Sequence, residues 1–200
     1  IIDIQDTLKI KIKYINIGGG IGIPYYPNEN KINIDNLIKK IYSTFLERNF
    51  EVPELYMENG RYITGPYGWL VSKCICVKLS FDKIFYGLDS CMSNLMRPGM
   101  YNSYHHITIL NKDNHKEYIC NVVGTLCENN DWFAKDRLLP KCCENDIFII
   151  HDTGAHSHSM GFQYNGKLRC QEILINKDNK PILIRRNENF SDYISTIENI

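Results

Sequence analysis

Two hundred residues with 44% hydrophobic and 23% charged side chains suffice for an ordinary globular chain with one large or two small cores. The 23 basic and 23 acidic residues cancel, which argues against a nucleic-acid binder, because such proteins carry a basic surplus. No apolar run reaches the roughly 20 residues of a membrane-spanning helix, so neither nucleic acid nor membrane is an expected partner.

The chain opens IIDIQDTLKI, without an initiating Met or a signal-peptide pattern, and reads as a truncation or processing point. Residues 9–17 alternate loosely and end in the apolar run Ile15–Ile17, which predicts a buried strand. Gly18, Gly19 and Gly20 follow. Consecutive glycines cost backbone entropy and bury nothing, so the backbone there either turns tightly or approaches something closely. Two readings are open: a plain turn, or a cradle of N–H groups for an anion, most often a phosphate, at the carboxyl end of a strand. The spacing fits neither GxGxxG nor GxxxxGK[ST].

NIDNLIKKIYSTFLERNF then places Leu37, Ile38, Ile41, Tyr42, Phe45 and Leu46 on one helical face, with Asn33 or Asp35 as N-cap. ELYMENGR reads as a short strand and a turn. Strand, glycine loop, helix, strand is an α/β order. Two strands and one helix cannot cover both faces of a parallel sheet, so residues 1–64 read as the tail of a larger α/β unit, with strand edges and apolar surface exposed.

After Pro66 the pattern changes. GWLVSKCICVKLS, KIFYGLDS, HHITILNK, EYICNVVGTLC, DIFIIHDTG, LRCQEILIN and KPILIRRN are short strand-like runs separated by turn sequences such as NKDN and ENND. This predicts an all-β barrel or sandwich over residues 65–200, closed by a short helix, DYISTIENI, capped by Ser191. None of the eight cysteines forms a CxxC pair, and reduced thiols of a cytoplasmic chain are expected rather than disulfides. His105–His106 and the pair His156 and His158 lack an acidic or cysteine partner at ligand spacing, so no metal is expected.

The segments INIGGGIGIPY, ENGRYITGPYG, GLDSCMSNLMRPGMY, VVGTLCENNDWFAKDRLLP and DTGAHSHSMGFQYNGKLR occur in that order across nearly the whole chain. Together they resemble the diaminopimelate decarboxylases, pyridoxal-phosphate enzymes of the alanine racemase-like fold type. The resemblance implies an α/β plus all-β architecture. Residues 1–64 correspond to the last part of a (β/α)8 barrel that carries the cofactor, and residues 65–200 to a C-terminal β-barrel or sandwich domain. A whole barrel takes about 250 residues. The lysine that bonds the cofactor belongs to the part not represented, no lysine here matches its motif, and residues 1–200 alone are expected to be inactive.

The implied reaction is decarboxylation of meso-2,6-diaminopimelate to L-lysine and carbon dioxide, with pyridoxal 5′-phosphate as cofactor. By resemblance, Gly18, Gly19 and Gly20 hold the phosphate, Glu58 faces the pyridine nitrogen, and Gly60, Arg61, His156 and Tyr164 complete the cofactor site. Glu58-Asn59-Gly60-Arg61 departs from the family's EPGR-like motif at Asn59, and His156 stands where many members have tyrosine. Arg61, Arg97, Tyr101 and Glu128 match substrate-binding positions; arginine suits bidentate recognition of a carboxylate. Asn102 stands where ornithine-type relatives place an acidic residue, which favours a substrate with a carboxylate at its distal end. Cys127 matches the family's proton donor, a role open to a thiol. The Cys127–Glu128 pair reaches the other subunit's site in the family, implying a homodimer. The alternatives are a related decarboxylase of ornithine or arginine, or a non-catalytic β-domain or remnant that binds a partner.

Overall fold

The computed structural model describes residues 1–112 and 115–198. Asp113 and Asn114 of the first expected NKDN turn, and the last two residues of the expected final helix, lie outside the described residues. The chain divides into two units, Ile1–Thr64 and Gly65–Ile200.

In the first unit, α1 (Ile2–Leu8) occupies the opening segment, for which no helix was expected. Lys9 ends it in the left-handed region at φ 54°, and the side-chain oxygen of Gln5 accepts the Ile12 N–H at 3.0 Å. The strand expected over residues 9–17 therefore shrinks to β1 (Tyr14–Asn16). The amphipathic run forms α2 (Ile34–Leu46), and Asn33 is its cap, accepting the Asn36 N–H at 2.9 Å. Of the expected apolar face, Phe45 packs with Ile15 and Ile2 and is joined by Ile41, whereas Tyr42 and Leu46 are exposed. β2 (Glu54–Tyr56) pairs parallel with β1, and α3 (Gly60–Thr64) follows where only a turn was expected.

The second unit is built on a six-stranded sheet. Its strands are β3 (Leu70–Ser80), β4 (Lys83–Leu88), β5 (Ile107–Ile109), β6 (Glu117–Val123), β7 (Trp132–Pro140) and β8 (Ile147–Ile150). A five-residue helix, α4 (Arg97–Tyr101), lies between β4 and β5. The strand order is β5-β8-β3-β4-β6-β7, with only β4 and β6 parallel. The edge strands β5 and β7 come together, so the sheet curls into a nearly closed barrel. Arg137 of β7 ties the seam: its guanidinium donates to the His105 carbonyl at 2.9 Å and stacks 4.0 Å above the Tyr104 ring.

The barrel interior holds Cys74, Tyr86, Leu88, Val122, Phe133, Phe148 and Ile150, all essentially inaccessible. Tyr86 and Phe148 meet edge to face at 5.9 Å. The Tyr86 hydroxyl donates to the Pro140 carbonyl and accepts the Cys142 N–H, so a buried polar atom stays satisfied.

β7 was not expected as a strand. Its Lys135-Asp136-Arg137 interrupts the alternation, because a bulge opposes Ala134 to Val122 and Arg137 to Cys120, with Asp136 at φ 45°. The chain ends in a separate hairpin, β9 (Glu172–Ile175) with β10 (Pro181–Arg185), and α5 (Phe190–Tyr193). Asn189, not Ser191, caps α5: Asn189 accepts the Asp192 N–H at 3.1 Å and Asp192 accepts the Asn189 N–H at 2.8 Å. This reciprocal box fixes the start two residues earlier than expected, and the helix stops at Tyr193.

His106 and His151 meet at a tilt of 45° where β5 pairs with β8, with ring centroids 5.1 Å apart. Burial, chiefly, holds both imidazoles below their ordinary value of 6.5; for His106 the neighbouring His151 and Arg137 act in the same direction. Between the folded value and 6.5 the unfolded chain then binds more protons than the folded one. This part of the stability is complete above pH 6.5 and is lost as pH falls through the folded values. Urea denaturation from pH 7.5 to 5.5 should give a falling midpoint. The fall should shrink in His151→Gln. An equally steep slope in that variant would exclude these histidines as its source.

Candidate active site

The expected residues fall into two sets, one in each unit. In the first unit the glycine run leaves the carboxyl end of β1 and packs against the Glu58 backbone. The Glu58 N–H donates to the Gly18 carbonyl at 2.9 Å. A Cβ on Gly19 would stand 2.4 Å from the Glu58 carbonyl oxygen, so only glycine fits there. Gly18 and Gly20 take φ of 74° and 94°. Asn16 ties the two pieces together: its Oδ1 accepts the Gly18 N–H at 2.8 Å, and its Nδ2 donates to Glu58 Oε1 at 2.6 Å. Asn16 was not singled out in the sequence, although Asn ahead of a glycine turn is an Asx-turn signal.

Among the described residues the Gly19 and Gly20 N–H groups donate to no protein acceptor. A Cβ on Gly18, Gly20 or Gly60 would meet nothing within 4 Å. Open amides on a positive-φ turn, beside an exposed and oriented carboxylate, fit a phosphate-bearing group with a protonated ring nitrogen. The Arg61 guanidinium, on α3, stands 6.0 Å from the centre of the Tyr25 ring, with Nε buried.

In the second unit three segments converge. Arg97 and Tyr101 begin and end α4, Arg97 buried and Tyr101 exposed. Asn102 closes the helix in the left-handed region at φ 52°, which an asparagine tolerates. The turn bearing Cys127 and Glu128 lies beside α4: a Cβ on Gly99 would fall 2.2 Å from the Asn130 carbonyl oxygen, so this glycine lets helix and turn touch. The turn closes on itself, with Asp131 N–H donating to the Glu128 carbonyl at 3.1 Å and Asn130 N–H to the Glu128 carboxylate at 3.1 Å. Cys127 is exposed, Glu128 half-buried. The third segment carries Tyr164: its neighbour Asn165 donates to the Cys127 carbonyl at 3.5 Å.

Asp131 fastens this arrangement. Its buried carboxylate accepts the N–H of Met92, in the loop leading to Arg97, and of Leu126, beside Cys127, each at 2.6 Å. Burial raises its carboxyl above its ordinary value, outweighing the lowering by these two amides. His156 lies in the loop after β8, two residues beyond Gly154. It sits at φ 59° in a stretch anchored by Thr153 N–H to the Gly68 carbonyl and Gly154 N–H to the Gly65 carbonyl. Among the described residues no group of three or more His, Cys, Asp or Glu side chains could hold a metal ion, and no helix is long and apolar enough to cross a membrane.

Residues 32–154 match the family described as pyridoxal-dependent decarboxylase, C-terminal sheet domain. The chain is 46% identical over 192 residues to Protein TabA of Pseudomonas amygdali pv. tabaci, covering 94% of this chain and 45% of that protein. It is 37% identical over 197 residues to diaminopimelate decarboxylase of Methanothermobacter thermautotrophicus, covering 96% of this chain and 45% of that one. The crystal structure of diaminopimelate decarboxylase from Methanocaldococcus jannaschii superposes with a TM-score of 0.90 at 33% identity, covering 98% of this chain and 45% of that chain. The chain thus spans about half the length of the relatives it matches.

Proposed function

Since the chain belongs to the pyridoxal-dependent decarboxylase family, we propose that it forms part of a carboxy-lyase converting meso-2,6-diaminopimelate to L-lysine and carbon dioxide. In this reading residues 1–64 are the last part of a (β/α)8 barrel and residues 65–200 the β-domain that completes the site. One observation carries it: the helix α4 that Arg97 begins, the turn of Cys127–Glu128 and the Tyr164–Asn165 segment adjoin one another in a single unit. An arginine for carboxylate, a glutamate for ammonium and a thiol for the proton suit a substrate that carries both charges.

The family's cofactor is pyridoxal 5′-phosphate. In the first unit the amides of Gly19 and Gly20 would hold its phosphate, the Gly18 amide being already bound by Asn16, Glu58 would face its ring nitrogen, and Gly60 and Arg61 would line its pocket; His156 and Tyr164 are the second unit's proposed cofactor residues. When bound, the ring supplies an electron sink for the pair left as carbon dioxide departs. This chain's residues do the rest. Arg97, Arg61 and Tyr101 grip substrate carboxylate, which aligns the bond to be broken. Glu128 meets the distal ammonium. The Cys127 thiol gives its proton to the substrate carbon that loses carbon dioxide, which becomes the ε-carbon of lysine, and is reprotonated from solvent, to which it is exposed. Asn102, uncharged, leaves the distal carboxylate unopposed where an acidic side chain would repel it. The Cys127–Glu128 pair serves the partner subunit's site in a homodimer, and the enzyme works in the cytoplasm.

The test is a substrate panel. kcat/KM of the holoenzyme should favour meso-diaminopimelate over L-ornithine and L-arginine by at least about 100-fold, because a buried group left unpaired by the wrong substrate penalises it heavily. A preference for ornithine would overturn the substrate assignment. Turnover of none of the three would favour a binding β-domain.

A further inference from the structure

We propose that His105 is a positioning residue that fixes the Arg97 guanidinium for the substrate's carboxylate, an inference that rests on the reading of Arg97 as a substrate ligand. His105 is wholly buried, at 0% exposure, and Arg97 is buried at 6%. Arg97 Nη1 lies 2.8 Å from His105 Nε2, and His105 Nδ1 lies 2.8 Å from the His151 carbonyl oxygen. A carbonyl cannot donate, so Nδ1 carries the proton. A guanidinium cannot accept, so Nε2 offers its lone pair. The two contacts together leave one possibility, a neutral ring protonated on Nδ1 alone.

The ring is bolted to the sheet rather than to the helix it serves. His151 follows β8 and its N–H donates to the His106 carbonyl at 2.9 Å, while Arg137 of β7 donates to the His105 carbonyl at 2.9 Å. Arg97 is the first residue of α4, a helix too short to be rigid by itself. A hydrogen bond from the sheet therefore sets the angle of the guanidinium before substrate arrives. On this nitrogen the acceptor is neutral, so it orients Arg97 without cancelling its positive charge. A carboxylate at position 105 would do the first and forfeit the second.

Steady-state kinetics of the holoenzyme with meso-diaminopimelate separate the possibilities. His105→Leu should raise KM about tenfold or more, the cost expected for losing a hydrogen bond to a charged group, with kcat changed less than about threefold. His105→Gln, whose side-chain oxygen can accept the Arg97 N–H, should keep KM within about threefold. In an Arg97→Ala background His105→Leu should add nothing further to KM, since the group it orients is gone. Equal damage by Leu and Gln, or effects that add in the double variant, would reduce His105 to core packing and overturn the proposal. If His105→Leu does not fold, His105→Gln and the ring's nitrogen NMR shifts in the unaltered holoenzyme decide: a neutral Nδ1–H tautomer supports the proposal, and an imidazolium or Nε2–H tautomer overturns it. A raised KM in Arg97→Ala with a normal KM in His105→Leu defeats the His105 inference alone. An unchanged KM in Arg97→Ala removes the reading of Arg97, and the inference with it.

Discussion

Cys127→Ala should lower kcat of the holoenzyme on meso-diaminopimelate by about 10²–10⁴, the range for losing a positioned proton donor, with a much smaller change in KM. The thiol is exposed while the backbone around it is not free to drift. Asn165 holds the Cys127 carbonyl, and the preceding Leu126 N–H is bound by the Asp131 carboxylate. A donor on a fixed turn with an open side chain can meet a substrate and exchange its proton with water. An inert packing cysteine would show the opposite, as Cys74 and Cys120 do inside the barrel, where burial pushes their thiols up, Cys120 to about 12. The Ser variant should fall between Ala and the parent. Turnover by Cys127→Ala within threefold of the parent would show that the proton comes from elsewhere.

Asp131→Ala should give the largest loss of stability of any single change near the site. The carboxylate is the acceptor for two N–H groups, those of Met92 and Leu126, in separate loops. An unsatisfied buried donor costs about 1–3 kcal/mol, so losing the acceptor of both costs about 2–6 kcal/mol. Asp131→Asn, which keeps one oxygen, should lose about half as much. The sign of the pH effect follows from the raised carboxyl. Its folded value lies above the unfolded one, so the folded chain holds the proton more tightly, and this contribution to stability declines as pH rises through the carboxylate range. Urea denaturation of the three proteins checks both points. Asp131→Ala should also lower kcat, because the Cys127 turn and the loop before Arg97 lose their common anchor. A midpoint unchanged in Asp131→Ala would mean that water replaces the carboxylate and that the clasp is dispensable.

The sequence revealed the elements with strong local periodicity and missed those without it. α2 is legible because its apolar spacing spans several turns and Asn33 supplies a cap. β3, β4, β6 and β8 are legible as β-branched and aromatic runs between turn residues. β7 is hidden by a bulge that places three charged residues in mid-strand, and α4 by a five-residue length that leaves no period to read. Ser191 misled as a cap because any of several polar residues can start a helix, and only the reciprocal bonds between Asn189 and Asp192 decide among them. The mainly β architecture of residues 65–200 nevertheless emerged, down to a barrel or sandwich, and the curled six-stranded sheet is such a barrel.

The site divides in the same way. The residues proposed to carry chemistry, such as Cys127, Glu128, Arg97 and the glycine run, stand out through ordered motifs. The residues that hold them do not. Asn16 reaches Glu58, His105 reaches Arg97 and the His151 carbonyl, and Asp131 reaches Met92 through contacts between segments that fold back on one another. Their residue types are ordinary, and only the tertiary structure shows which amide or guanidinium each one faces.

The most direct test of the account is the product formed in heavy water. Holoenzyme supplied with pyridoxal 5′-phosphate and meso-diaminopimelate in D2O should yield L-lysine carrying one deuterium at the ε-carbon, the carbon that lost its carboxylate, with one carbon dioxide per lysine. That product should all but vanish in Cys127→Ala. No lysine from meso-diaminopimelate, or labelled lysine formed equally fast without Cys127, would contradict the function and the residue assigned to it.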